Sequence, residues 1–78
     1  MARPKNKRSL TIARHRTSVS LEDEFWEALG AFATADGKSV AELIGEIDRS
    51  RGAKPERQLG LSAAIRLYVL ERMRRGAR

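Results

Sequence analysis

No cysteine occurs in the 78 residues, and His15 is the single histidine. Disulfides and thiolate metal sites are therefore excluded, and one histidine is too few for a zinc or nickel cluster in one chain. A cysteine-free composition fits a cytoplasmic protein. No run of about 18 apolar residues is present, so no membrane-spanning segment is expected. The basic N-terminus is followed by no apolar stretch of the kind a signal peptide carries, and none is expected here. Gly-rich phosphate loops, metal-ligand spacings and a nucleophile beside a histidine base are also missing. These absences point away from an enzyme and from a bound cofactor, metal or small-molecule ligand.

What is present is charge, unevenly placed. Residues 1–16 hold six Lys/Arg and no acid; residues 17–48 hold Lys38 against eight acids; residues 49–78 hold nine bases against Glu56 and Glu71. The chain carries +6 overall, with the positive charge at its two ends. A basic segment running into an exposed polar strand suggests a polyanionic partner. A single domain this short buries little surface and ordinarily needs a staple. Without disulfide or metal, a second subunit is the expected one.

The strand is read over about residues 14–20. From Arg16 the residues alternate, with Arg16, Ser18 and Ser20 on one side and Thr17, Val19 and Leu21 on the other. This period of two marks a strand with one polar and one apolar face. The stretch SLTIA at 9–13 also alternates, with Leu10 and Ile12 on one side. Two readings compete for it: a backward extension of the strand, or a hairpin with 15–20. Extension is favoured, because Ala13-Arg14 lacks the Gly, Asn or Asp of a tight hairpin turn. Residues 1–8, polar and without periodicity, read as a disordered basic arm, and 9–78 as the domain.

Three helices follow, over about 21–36, 40–50 and 61–75. Ser20-Leu21-Glu22-Asp23 has the shape of an N-cap with acids in the first turn, which sets Ser20 between capping and an outward role. Phe25, Leu29, Phe32 and Ala33 form an apolar stripe, widened by Trp26 and Ala28. Gly37 suits the left-handed position after this helix. Ser39-Val40-Ala41-Glu42 is a capping box for the second helix, whose stripe is Val40, Leu43, Ile44 and Ile47. Residues 51–60 read as a loop with Gly52, Pro55 and Gly60 as breakers. Ser62 is a plausible cap for the third helix, which carries Leu61, Ala64, Ile65, Tyr68 and Val69 on one face.

A lone strand leaves its backbone groups unpaired. Antiparallel pairing with the same strand of a second copy satisfies them by two-fold symmetry. The fold class expected is thus mainly α with one short N-terminal strand, as an intertwined homodimer with an intermolecular two-stranded ribbon and a third C-terminal helix. Val19, Leu21, Phe25, Trp26, Leu29, Leu43, Ile44 and Ile47 would form the core shared by the two chains. A two-stranded ribbon fits the major groove of B-DNA, where Arg can bind guanine in a bidentate way and Ser can bond most base edges.

The run RTSVSLEDEFWEAL followed by ADGKSVAELIGEI resembles the ribbon-helix-helix family of DNA-binding repressors. LSAAIRLYVLERMRR is similar to the added helix of a longer bacterial subgroup. The resemblance implies base reading by Arg16, Ser18 and Ser20. It implies a phosphate held at the start of the second helix by Ser39, Val40 and Ala41, a placement that helix N-termini also favour on physical grounds. Lys38 beside that site and Arg14 at the start of the strand would add charge. Two serines among three readers is modest chemistry for selectivity. The function expected is a DNA-binding transcriptional regulator, a repressor acting on double-stranded DNA, with further assembly of dimers on DNA left open. The alternatives are the antitoxin of a toxin–antitoxin pair, or a protein-interaction adaptor built on the same dimer scaffold.

Overall fold

Two antiparallel strands precede three helices in the computed structural model, which describes residues 5–12, 14–52 and 60–76. The strands are β1, Lys5–Ile12, and β2, His15–Glu22. The helices are α1, Asp23–Ala35, α2, Val40–Gly52, and α3, Leu61–Gly76. Residues 1–4 of the expected arm, and 53–59 of the expected loop, lie outside the described residues.

The second strand corrects the sequence reading. Residues 5–12 do not extend β2 backwards but fold onto it as a hairpin, in register from Ile12 opposite His15 to Lys5 opposite Glu22. Residues 5–8, read as part of a disordered arm, are the first half of β1. One chain therefore already holds a two-stranded ribbon of its own. Arg14 takes the turn with φ of 69°. A non-glycine residue there costs about 1–2 kcal/mol. An eight-residue ladder and the burial of Ile12 on the apolar face outweigh that cost, because a buried Ile alone contributes about 1.5–3 kcal/mol. Replacing Arg14 with Gly should relieve the strain, raising stability by about 1 kcal/mol and the melting temperature by roughly 5 °C. Thermal unfolding followed by circular dichroism checks this, and no gain would mean the turn is not strained.

α1 also starts differently from the reading. β2 continues to Glu22, which takes the N-cap position with φ −62° and ψ 151° and makes no side-chain cap bond. Ser20 is thus a strand residue and not a cap. Ser62, likewise, lies inside α3, whose first backbone bond runs from the Ala64 N–H to the Gly60 carbonyl at 3.0 Å, and its Oγ donates to the Ser20 carbonyl at 3.3 Å. The end of α1 follows the sequence closely. Gly37 has φ of 69°. Its N–H reaches the Thr34 carbonyl at 3.1 Å, and the Lys38 N–H reaches the Ala33 carbonyl at 3.0 Å. These two bonds form a Schellman closure.

One face of the hairpin packs on the helices. Ile12, Val19 and Leu21 are buried with Trp26, Ala28, Leu29, Ala33, Leu43, Ile44, Ile47, Ile65 and Val69, while Phe25 and Phe32 are only half-buried against this cluster. α3 supplies Ile65 and Val69 and so closes the core. Of the eight residues expected to be shared between chains, seven are thus buried inside a single chain, and the expected split core is not needed for burial. α3 is tied down by ion pairs at both ends. Arg66 donates to Glu22 at 3.0 and 3.1 Å, and Arg72 donates to Asp36 at 2.7 and 2.8 Å. Arg72 also lies 4.4 Å from the Phe32 ring centre, and Phe32 meets Tyr68 edge to face. The Arg72 guanidinium holds the Asp36 carboxyl below its usual range.

Candidate nucleic-acid interface

The polar face of the hairpin follows from strand alternation. With Val19 and Leu21 buried, Arg16, Ser18 and Ser20 point away from the helices. The register sets Thr11 opposite Arg16, Ser9 opposite Ser18 and Lys7 opposite Ser20, so these three share the outward face. All six are exposed except Ser20, which is half-buried. Reading the sequence brought Arg16, Ser18 and Ser20 to one face but missed Lys7, Ser9 and Thr11. The signal was present in the alternation of Lys7, Ser9 and Thr11 with Arg8, Leu10 and Ile12. The unpromising turn residues outweighed it.

The cations of the hairpin differ in their engagement. Arg8, on the inward face, lies 4.6 Å from the centre of the Trp26 ring. The Trp26 indole N–H donates to the Asn6 carbonyl at 2.9 Å, and Asn6 also bonds Asp23. Further along, Lys38 pairs with Glu46, Arg51 with Asp48, Arg66 with Glu22 and Arg72 with Asp36. By contrast, Lys7, Arg14 and Arg16 have no ionic partner among the described residues. Three unneutralised positive charges thus lie on the outward face and tip of one ribbon, among small hydroxyl side chains.

The edges of the hairpin are unequal. A two-residue connection makes Ile12 and His15 the first hydrogen-bonded pair, and the alternation then aims the N–H and C=O of Arg16, Ser18 and Ser20 away from β1. The Ser20 carbonyl meets Ser62 there. Arg16 and Ser18 find no backbone partner on that edge among the described residues.

The start of α2 is a reciprocal capping box. The Ser39 N–H donates to Glu42 Oε1 at 2.8 Å, and the Glu42 N–H donates to Ser39 Oγ at 3.1 Å. These bonds hold the Glu42 carboxyl below its usual pKa, the backbone bond contributing most. Glu42 therefore stays ionised beside the helix N-terminus. The Ser39 amide is occupied, leaving the Val40 and Ala41 amides as the donors of that turn. Lys38 is bound to Glu46, which raises its pKa. Thr11 and Ile12 of β1 and Ala41, Glu42 and Arg49 of α2 line one open groove, which brings this turn alongside the ribbon. Among the described residues, no group of acidic or histidine side chains could hold a metal ion, and no helix is long and apolar enough to cross a membrane.

A family model described as ribbon-helix-helix domain matches residues 5–73, which takes in both strands and almost all of α3. The chain belongs to the ribbon-helix-helix family. Its members are generally DNA-binding regulators or antitoxins, typically dimeric and non-enzymatic. No match was found among curated proteins or solved structures.

Proposed function

We propose that the protein is a DNA-binding regulator, a repressor in the simplest case, that binds duplex DNA as a homodimer through the outward face of its ribbon. The observation that carries this reading is the concentration of unpartnered Arg16 and Lys7 on the outward face of the ribbon, beside Ser18 and the half-buried Ser20, with unpartnered Arg14 at its tip. Two copies pair along the free edge of β2, about a two-fold axis at Ser18, and this sets Arg16, Ser18 and Ser20 of both chains side by side. Arg16 reads guanine in the major groove, the serines bond base edges, and Arg14 meets phosphate. The Val40 and Ala41 amides, with Lys38, form a second phosphate contact, weakened by the Glu42 carboxylate and by the Lys38–Glu46 pair.

Arg16→Ala should cost about 1–3 kcal/mol on a selected site and much less on scrambled DNA. Lys38→Ala should weaken both DNAs alike and by less, since its ammonium is already paired. Titrations of each variant on both DNAs check this. Equal losses on both DNAs for Arg16→Ala would make the ribbon an electrostatic anchor, and no loss on either would remove the ribbon from the interface.

The antitoxin and adaptor readings draw on a different observation, the exposed apolar side chains Leu67, Leu70 and Met73 on α3. Salt separates them from DNA binding. Contacts to about 6 phosphates weaken roughly a thousandfold between 50 and 200 mM salt, and an apolar interface does not.

A further inference from the structure

On the basis of the DNA-binding dimer proposed above, we infer that β1 forms the outer strands of a four-stranded sheet, ordered β1–β2–β2–β1, and that Lys7 holds the phosphates on the walls of the groove that β2 enters. β1 occupies one edge of β2 over eight residue pairs, so a second copy can pair with β2 only along the other edge, where the Arg16 and Ser18 backbone groups are open and the Ser20 carbonyl also accepts from Ser62. Neighbouring strands lie about 4.8 Å apart, so the outer strands sit roughly 7 Å from the two-fold axis on either side. The major groove is about 12 Å wide, so the sheet is too broad to enter whole. The two β2 strands fit between the groove walls, and each β1 lies over a sugar–phosphate backbone.

The residues match those two places. β2 presents Arg16 and Ser18, able to bond base edges. β1 presents Lys7, a point charge suited to phosphate, with the hydroxyls of Ser9 and Thr11 beside it. Lys7 is exposed and without an ionic partner among the described residues. Its neighbour Arg8 carries the same charge but lies on the opposite face of the strand, exposed and over the Trp26 ring. The strand therefore sets two adjacent cations on opposite faces, one on the proposed binding side and one over Trp26.

The test uses the full chain and a duplex selected for binding, with a scrambled duplex beside it, each titrated across salt. Lys7→Gln should weaken binding to both by about tenfold and lower the salt slope by about 2, one phosphate for each of the two lysines in a dimer. Lys7→Arg should restore the slope. Arg8→Gln, which removes the same charge one residue away, should leave the slope as it was. If the unaltered protein binds steeply with salt but Lys7→Gln keeps its slope, the outer strands do not touch phosphate, and the inference fails while DNA binding stands. An equal fall for Arg8→Gln would also overturn it, by showing a diffuse field and no rim contact. Unfolding of Lys7→Gln in a melting curve would contradict an unpartnered Lys7, with the same result. If the unaltered protein binds no duplex, the DNA-binding reading itself fails.

Discussion

Ser18→Pro should leave the chain folded and remove both the proposed dimer and the DNA binding that depends on it. Proline lacks the N–H and is tolerated in a strand only where that N–H faces outward. The Ser18 N–H points to the free edge of β2, so the hairpin ladder loses no bond. The residue before a proline prefers extended backbone, which Thr17 already has in β2. Pairing with a second copy, however, would lose a bond at its centre and meet the pyrrolidine ring. Separating two half-sites costs the avidity of a linked pair, about 10²–10⁴ in affinity. Sedimentation should find an 8.7 kDa monomer with a melting temperature near that of the unaltered chain. Ser18→Ala should stay dimeric, which separates the loss of pairing from the loss of a hydroxyl. If Ser18→Pro remained dimeric, the two chains would meet through another surface, and the four-stranded sheet would be wrong as well.

Val19→Lys should unfold the chain outright. Val19 is 1% exposed, on the inward face, with Leu21 at 0% beside it in the strand and Arg8 as its cross-strand neighbour. A lysine there buries an unpaired ammonium close to an existing guanidinium. The cost exceeds about 4 kcal/mol, most of the stability available to a small domain. Val19→Ala should cost about 2 kcal/mol and stay folded. Because the core closes within one chain, the unfolding of Val19→Lys should be the same at low and high protein concentration. For the same reason the unaltered protein should keep its helical circular dichroism when diluted below the dissociation constant of the proposed dimer. A loss of helix on dilution would mean that folding requires the second subunit, as it would if the core were split between chains.

The hairpin shows how far local signals reach. Alternation over Arg16–Leu21 identified β2 and its polar side, because a strand's two faces are written into every second residue. The Gly37 closure of α1 and the Ser39–Glu42 box of α2 were equally legible, since each depends on residues within a single turn. The three helices and their order came from apolar spacing, and the family from the register of all these features together. What the sequence left undecided was pairing. Whether residues 5–12 extend β2 or fold back on it depends on a balance between the local strain at Arg14 and the burial of Ile12 against Gly45 of α2, 33 residues away. Local turn statistics see only the first term.

The same limit governs the site. Arg16, Ser18 and Ser20 could be placed together from the sequence because they share one strand, whereas Lys7, Ser9 and Thr11 join them only through the cross-strand register. Which cations are available is also a tertiary property. Arg66 and Arg72 are paired with carboxylates 44 and 36 residues distant, and Arg8 lies over an indole 18 residues on, while Arg16 has neither contact. Composition determined that the chain is basic, free of disulfides and suited to a polyanion. The folded structure decided where that charge is exposed, because ion pairing and burial neutralise each side chain according to the neighbours that packing supplies.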